Sequence, residues 1–162
     1  MREEQLRQLS TAVGHKLKDR GAWVTCAESC TGGWVAKALT DIAGSSAYFD
    51  RGFVTYSNAA KHDLLGVKES TLAEYGAVSE NVVQEMALGA LRAANADFAI
   101  SISGVAGPDG GSTEKPVGTV WFAFATRNGQ ISATKQLFSG DRDEVRSQAA
   151  VFALQTLLDD FL

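Results

Sequence analysis

The chain has 162 residues and a formal net charge of −4, with 45% hydrophobic and 21% charged residues. This length suits one domain with one core, and the composition excludes a disordered chain, so we expect a single domain over residues 1–162. The acidic balance argues against duplex nucleic acid as a partner, although a few backbone N–H groups and one arginine can still bind a small anion.

The first quarter of the chain predicts a helix, a strand, a tight turn and a second helix. Residues 3–20 carry an apolar stripe at helical spacing, and Gly21 ends this helix. Residues 22–26 are rich in β-forming side chains and predict a short strand. Helical spacing returns over residues 32–42, so we expect a strand-to-helix turn over residues 27–33.

The middle of the chain predicts two further strands and two further helices. Residues 49–57 are rich in β-formers and predict a second strand, followed by a short helix capped near Ser57 and closed by Gly66. Another helix begins at Ser79, and its apolar face extends for several turns. A nearly continuous apolar run over residues 97–103 predicts a buried strand.

The C-terminal third predicts a loop, a hairpin and a last helix. Residues 104–116 form a glycine-rich loop that contains both prolines of the chain. Residues 117–126 and 131–138 predict two antiparallel strands around an Asn-Gly turn, and residues 141–161 predict a helix. The expected fold is therefore α/β: a single domain with a mixed, mostly parallel sheet, helices on both faces, and a C-terminal hairpin plus helix.

The turn at residues 27–33 reads Ala-Glu-Ser-Cys-Thr-Gly-Gly and carries the first candidate for chemistry. At a strand-to-helix turn, Ser29 would be a nucleophile beside backbone N–H groups that favour a phosphate or a developing oxyanion. An equally simple interpretation makes Ser29 and Thr31 helix caps. Cys30 is a weaker candidate nucleophile, since a cysteine in such a turn is more often a small buried hydrophobe.

The loop at residues 103–112 and the start of the last helix carry the second candidate. Ligands of open α/β sheets bind at strand ends, where glycine lets the backbone approach them, so a ligand-binding role is favoured over a plain surface loop. Asp141 is explained as a helix cap, whereas Arg142 opposes the preference of a helix N-terminus for negative charge. Arg142 therefore indicates a ligand anion or a partner carboxylate.

The cysteines and histidines limit the metal and disulfide chemistry. The chain has two of each, and neither an H-x-x-x-H nor a paired C-x-x-C pattern occurs. We therefore expect no metal site, no disulfide framework and a cytoplasmic location with reduced thiols. The charged N-terminus excludes a signal peptide, and no apolar run is long enough to span a membrane.

Five separated sequence blocks together resemble one known family, the CinA C-terminal domain, over essentially the whole chain. In chain order they are AESCTGG at 27–33, GFVTYSNAAK at 52–61, GAVSE at 76–80, SGVAGPDGG at 103–111 and KPVGTVW at 115–121. The resemblance implies hydrolysis of nicotinamide mononucleotide (NMN) to nicotinate mononucleotide and ammonia, without a metal or cofactor, in pyridine-nucleotide salvage. It also implies a homodimer.

The resemblance further implies a set of site residues. The family's serine nucleophile, lysine base and supporting tyrosine fall on Ser29, Lys61 and Tyr56. Its substrate pocket corresponds here to Thr31, Gly32, Ser46, Ser103, Gly107 and Arg142.

Physical chemistry sets one condition on this interpretation. For Lys61 to act as a base, its pKa must fall from about 10.4 to about 7–8 by burial or by a nearby positive charge. Without the resemblance, Lys61 would be interpreted as a solvated helix residue and Tyr56 as a core residue of a strand. Two alternatives stay open: a non-catalytic nucleotide-binding regulatory module, and a phosphate-handling enzyme, which would lack a P-loop lysine.

Overall fold

A five-stranded sheet lies between two layers of helices in the computed structural model, which describes residues 2–162. In chain order the strands are β1 (Val24–Glu28), β2 (Phe53–Val54), β3 (Phe98–Gly104), β4 (Thr119–Thr126) and β5 (Ile131–Leu137). Their order across the sheet is β2-β1-β3-β4-β5. Strand β1 pairs in parallel with β2 and β3, whereas β4 pairs antiparallel with β3 and β5. The mixed, mostly parallel sheet is confirmed, because β4 alone among these strands runs in the opposite direction.

The helices divide between the two faces of the sheet. They are α1 (Arg2–Arg20), α2 (Trp34–Thr40), α3 (Asn58–Leu65), α4 (Glu69–Tyr75), α5 (Glu80–Ala94) and α6 (Arg142–Thr156), followed by a π-helical turn at Leu157–Phe161. Helices α1, α2 and α6 pack together on one face, while α5 covers the other and packs against α3 and α4. None of the helices within residues 2–162 is long and apolar enough to cross a membrane.

The two faces of the sheet differ in side-chain size. The face toward α1 and α6 carries large side chains, among them Phe98, Ile100, Ile102, Phe122 and Phe124. The face toward α5 carries alanines, namely Ala27, Ala99, Ala123 and Ala125. Because alanine side chains are short, α5 can pack close to the strands without a void.

Gly89 of α5 lies directly against the end of α3. A Cβ atom placed on Gly89 would lie 1.9 Å from the carbonyl oxygen of Leu65, the last residue of α3. The backbone of α3 therefore rests directly on the backbone of α5. This contact fixes the position of α3, which carries Lys61 one turn before Leu65.

We expect Gly89→Ala to lower the free energy of unfolding by about 2 kcal/mol, because the added methyl group meets backbone rather than a movable side chain. Alanine's helix propensity offsets only about 1 kcal/mol of this cost. Urea unfolding of the variant and the wild type measures the difference. Equal midpoints would show that moving α3 away from α5 costs no more than the helix propensity that alanine adds.

Several predicted element boundaries are confirmed. Side chains of Ser57, Ser79 and Asp141 cap α3, α5 and α6, and Gly66 ends α3 with a positive φ. The last helical segment reaches Phe161 as predicted, although its final turn is π-helical.

Other predictions differ from the structure. Strand β1 begins two residues later than predicted, at Val24, and extends to Glu28. The predicted strand over residues 49–57 is reduced to Phe53–Val54, because it lies at the sheet edge and pairs only with β1. Helix α4 was not predicted, since the capping group at its start comes from Glu85 of α5.

Candidate active site

The candidate site lies where the carboxyl ends of the parallel strands β1, β2 and β3 meet. Ser29 directly follows β1, Tyr56 lies two residues beyond β2, and Ser103 belongs to the end of β3. A cavity of about 260 Å³ opens here, lined by Ser29, Cys30, Tyr56, Asn58, Lys61, Ala77, Val78, Ser103, Gly104, Ala106 and Arg142. This is the sheet edge at which open α/β folds bind their ligands.

Lys61 and Ser29 are in direct contact. The Lys61 Nζ lies 2.9 Å from the Ser29 Oγ, and it also donates to the carbonyl oxygens of Thr55, at 2.9 Å, and Tyr56, at 3.0 Å. Only 1% of Lys61 and 7% of Ser29 is exposed. The predicted nucleophile and base are thus brought together, 32 positions apart in sequence.

Burial changes the acid–base chemistry of Lys61. Desolvation disfavours the ammonium form and lowers the pKa of Lys61 from 10.5 to about 8, while Cys30 acts weakly in the opposite direction. The interpretation of Lys61 as a solvated helix residue is wrong, because α3 is held against α5 with this side chain on its inner face. With this pKa about a tenth of Lys61 is the uncharged amine at pH 7, far more than for an exposed lysine, and this is the form that a general base requires.

A buried carboxylate, Glu28, holds the turn that carries Ser29. Its Oε1 accepts hydrogen bonds from the Thr31 hydroxyl, at 2.6 Å, and the Val35 N–H, at 2.9 Å. Its Oε2 accepts one from the Ala36 N–H at 3.0 Å. The N–H groups of Val35 and Ala36 therefore bind Glu28, and the start of α2 is not a free anion site for substrate.

Cys30 does not have the properties of a nucleophile. Burial raises the pKa of its thiol to about 12, so the thiol stays protonated at neutral pH. Burial likewise raises the pKa of the Cys26 thiol well above its usual value, and the charge of Glu28 adds to this effect. Of the candidates in this turn, the geometry favours Ser29.

Tyr56 contacts the base through its backbone rather than its hydroxyl. Its carbonyl oxygen accepts from Lys61 and lies 3.4 Å from the Ser29 Oγ, whereas its phenol oxygen lies 3.3 Å from a guanidinium nitrogen of Arg142. The side chain is an exposed wall of the cavity, with 62% of Tyr56 exposed. Its interpretation as a strand core residue is therefore wrong, because β2 ends before it.

The predicted substrate residues separate into two groups. Ser103 and Arg142 line the cavity, and the carbonyl of Gly107 accepts a hydrogen bond of 2.7 Å from Arg142. Three others lie away from the lining: Thr31 faces Glu28, Gly32 faces Arg146 of α6, and Ser46 is exposed in a short 3₁₀ turn at Ser45–Ala47. The substrate contacts assigned to both groups stay predictions.

Sequence reasoning missed two residues that support the site. Glu28 lies inside the recognised AESCTGG block but had been given no role, and its burial at the end of β1 was the missing information. Arg146 contacts the carbonyls of Cys30 and Thr31 from α6, and no pattern in the sequence pairs residues so far apart. Within residues 2–162 no group of three or more His, Cys, Asp or Glu side chains is arranged to hold a metal ion.

Comparison with known proteins identifies relatives over the full length. The family described as CinA C-terminal domain matches residues 6–161. The nicotinamide-nucleotide amidohydrolase PncC of Enterobacter agglomerans is 70% identical, covering 100% of this chain and 99% of that protein. The protein of the same name from Escherichia coli is 68% identical, with 100% and 98% coverage. The crystal structure of competence damage-inducible protein A (ComA) from Klebsiella pneumoniae superimposes with a TM-score of 0.93 at 45% identity, covering 96% of each chain.

Proposed function

The chain belongs to the CinA C-terminal domain family, and we propose that it hydrolyses the carboxamide of NMN with Ser29 as nucleophile and Lys61 as base. Amidohydrolase activity on a nicotinamide nucleotide rests on the full-length identity to the two PncC proteins. The Ser29–Lys61 chemistry rests on one observation, the contact of 2.9 Å between a buried amine and a serine hydroxyl. We further propose that residues 1–162 form a single amidase domain and that the protein is a cytoplasmic homodimer. Its role in the cell would be pyridine-nucleotide salvage.

The contacts of Lys61 orient its lone pair. A neutral amine has two N–H donors and one lone pair. When the two donors bind the carbonyls of Thr55 and Tyr56, the lone pair is left for the hydroxyl proton of Ser29. Two fixed backbone acceptors thus prepare the amine to take a proton from the nucleophile.

The reaction then follows two balanced steps. Lys61 takes the Ser29 proton as Oγ attacks the amide carbon, and the resulting ammonium returns a proton to the departing nitrogen, which leaves as ammonia. Lys61 next takes a proton from a water molecule as it attacks the Ser29 ester, and it returns this proton to the Ser29 Oγ as nicotinate mononucleotide leaves. We assign stabilisation of the oxyanion of each tetrahedral intermediate to backbone N–H groups of the turn after Ser29.

The mouth of the cavity suits the phosphate of the nucleotide. Arg142 uses one guanidinium nitrogen on the Gly107 carbonyl and another near the Tyr56 hydroxyl, so its orientation is fixed by the protein. A guanidinium has five N–H donors, and those left over can bind phosphate oxygens. Ser103, almost fully buried in the lining, supplies a polar group deeper in the cavity.

We expect the purified protein, treated with EDTA, to release ammonia from NMN and to form a hydroxamate when hydroxylamine is present. Hydroxylamine competes with water for an acyl-enzyme, so the hydroxamate reports the Ser29 ester. Mass spectrometry of the rapidly quenched enzyme is expected to place the acyl group on the peptide that contains Ser29.

Cys30→Ala is the matched control, because Cys30 is the neighbouring side chain that could also carry an acyl group. With its thiol protonated, we expect the variant to keep most of the activity. If the quenched Cys30→Ala variant carries no acyl group, Cys30 rather than Ser29 is the nucleophile. If the wild type binds NMN saturably but releases no ammonia, the protein is a nucleotide-binding module and not an amidase.

A further inference from the structure

Arg146 lies against the outer side of the turn that carries Ser29. Its Nε donates to the Cys30 carbonyl at 2.9 Å, and its Nη2 donates to the Thr31 carbonyl at 3.3 Å. Its guanidinium also lies 5.5 Å from the ring centre of Trp34, the first residue of α2. One side chain of α6 therefore contacts the turn at three of the five residues after Ser29.

The turn is shaped to admit this guanidinium. A Cβ atom on Gly32 would lie 3.1 Å from the Arg146 Nη2, and Gly32 has a φ of +60°. Both the close approach and the backbone conformation favour glycine here. Gly32 thus has a structural reason to be glycine that involves Arg146 rather than a ligand in the cavity.

Arg146 and Glu28 hold the turn from two sides. Glu28 accepts from the Thr31 hydroxyl and from two N–H groups in the first turn of α2, while Arg146 donates to the Cys30 and Thr31 carbonyls. Donors and acceptors of the turn are both bound to charged side chains, and such charge-assisted hydrogen bonds are the stronger kind. The nearest acidic neighbour of Arg146, Asp143, is 3.9 Å away and highly exposed, so it competes weakly.

We propose that Arg146 is a positioning residue, which acts through the Cys30 and Thr31 carbonyls to keep the Ser29 Oγ in contact with Lys61. This inference rests on the proposed Ser29–Lys61 amidase. Arg146 does not line the cavity, so it affects the chemical step rather than substrate binding. Small displacements of a nucleophile have large effects on rate, since the reacting atoms must meet at contact distance.

The test compares Arg146→Ala and Arg146→Lys with the wild type in steady-state NMN hydrolysis. We expect Arg146→Ala to lower kcat by about 50-fold while KM changes by less than about twofold. Arg146→Lys keeps the positive charge, but an ammonium lacks the planar fork of donors that binds both carbonyls at once. We expect this variant to lower kcat by about 5- to 10-fold. If Arg146→Ala does not fold, the split between kcat and KM in Arg146→Lys decides the matter.

Arg20 offers a matched control far from the site. Like Arg146, it stacks on an aromatic ring, Phe98, at 5.1 Å and donates to two backbone carbonyls, those of Phe161 and Leu162. We expect Arg20→Ala to affect thermal stability but not kcat. Millimolar methylguanidinium is expected to restore part of kcat in Arg146→Ala and to have no effect on Arg20→Ala, a rescue that a general loss of stability would not show.

The outcomes separate this inference from the proposed function. A wild type that releases no ammonia overturns both. When the wild type is active, three results overturn the role of Arg146 alone. The first is an unchanged kcat in Arg146→Ala, and the second is a loss of activity confined to KM. The third is an equal loss of kcat in the Arg146 and Arg20 variants. Methylguanidinium that rescues neither variant, or both equally, also contradicts it.

Discussion

Lys61→Met is expected to lower kcat for NMN hydrolysis by about 10⁴-fold while the protein stays folded. Methionine fills nearly the same volume as the lysine side chain, but its thioether sulfur is far too weak a base to take the Ser29 proton. Ser29→Ala is expected to cause a similar loss, and the double variant is expected to be no worse than either single one, because the two residues act as a unit. Retention of more than a tenth of kcat in Lys61→Met would overturn Lys61 as the base.

The pH dependence of activity provides an independent check on Lys61. The base works as the neutral amine, so kcat/KM is expected to rise with pH and to level off above the pKa of about 8. A profile that stays flat from about pH 6 to about pH 9.5 would contradict this assignment.

Stability should respond to Lys61 in the same pH window. The pKa is about 8 in the folded protein and 10.5 without burial, so between these values the unfolded chain binds more protons than the folded one. The stability contributed by Lys61 is therefore fully present above pH 10.5, and it is lost as the pH falls through 8. The total is on the order of 3 kcal/mol. Urea unfolding at several pH values is expected to show this slope in the wild type and not in Lys61→Met, which is expected to be at least as stable near pH 7.

Glu28→Gln is expected to lower the free energy of unfolding by about 3 kcal/mol. Glu28 is fully buried, and its two oxygens accept from three strong donors. An amide keeps one of these oxygens but places an NH₂ group against another donor, which leaves buried N–H groups without an acceptor. Because the same contacts hold the Ser29 turn, we expect activity to fall as well.

Glu85→Gln is the matched control for Glu28. Glu85 also accepts from a backbone N–H, that of Lys68, and from a threonine hydroxyl, that of Thr71, at the start of a helix. It is less buried than Glu28, so we expect a loss of only about 1 kcal/mol. Urea unfolding measures both variants. Equal losses in the free energy of unfolding would show that the burial of Glu28 adds nothing to its contribution to stability.

Local patterns in the sequence were sufficient to predict most of the fold. The amphipathic stripe of α1, the caps at Ser57 and Ser79 and the Asn-Gly turn between β4 and β5 depend on neighbours a few residues apart. The extent of β2 depends instead on which residues of this run lie beside β1, and only Phe53 and Val54 form a strand with it. A run of β-forming residues cannot reveal that limit.

The site was predicted unevenly for the same reason. Recognition of sequence blocks gave Ser29 and Lys61, but the burial of Lys61 depends on the bare backbone of Gly89 in another helix. The role of Tyr56 was inferred from its side chain, whereas the contact with the base comes from its carbonyl, which every residue has. Arg146 meets a turn 116 positions earlier, a separation that no local pattern records.

That separation has a consequence for biosynthesis. Ser29 and Lys61 have both been synthesised once residue 61 is added to the chain. The segments β3 and α6, which supply the remaining walls of the cavity, are synthesised later. A nascent chain that stops before Arg142 has Ser29 and Lys61 without the guanidinium contacts to Gly107, Cys30 and Thr31. We therefore expect a truncated product to hydrolyse free nucleotide far more slowly than the finished chain.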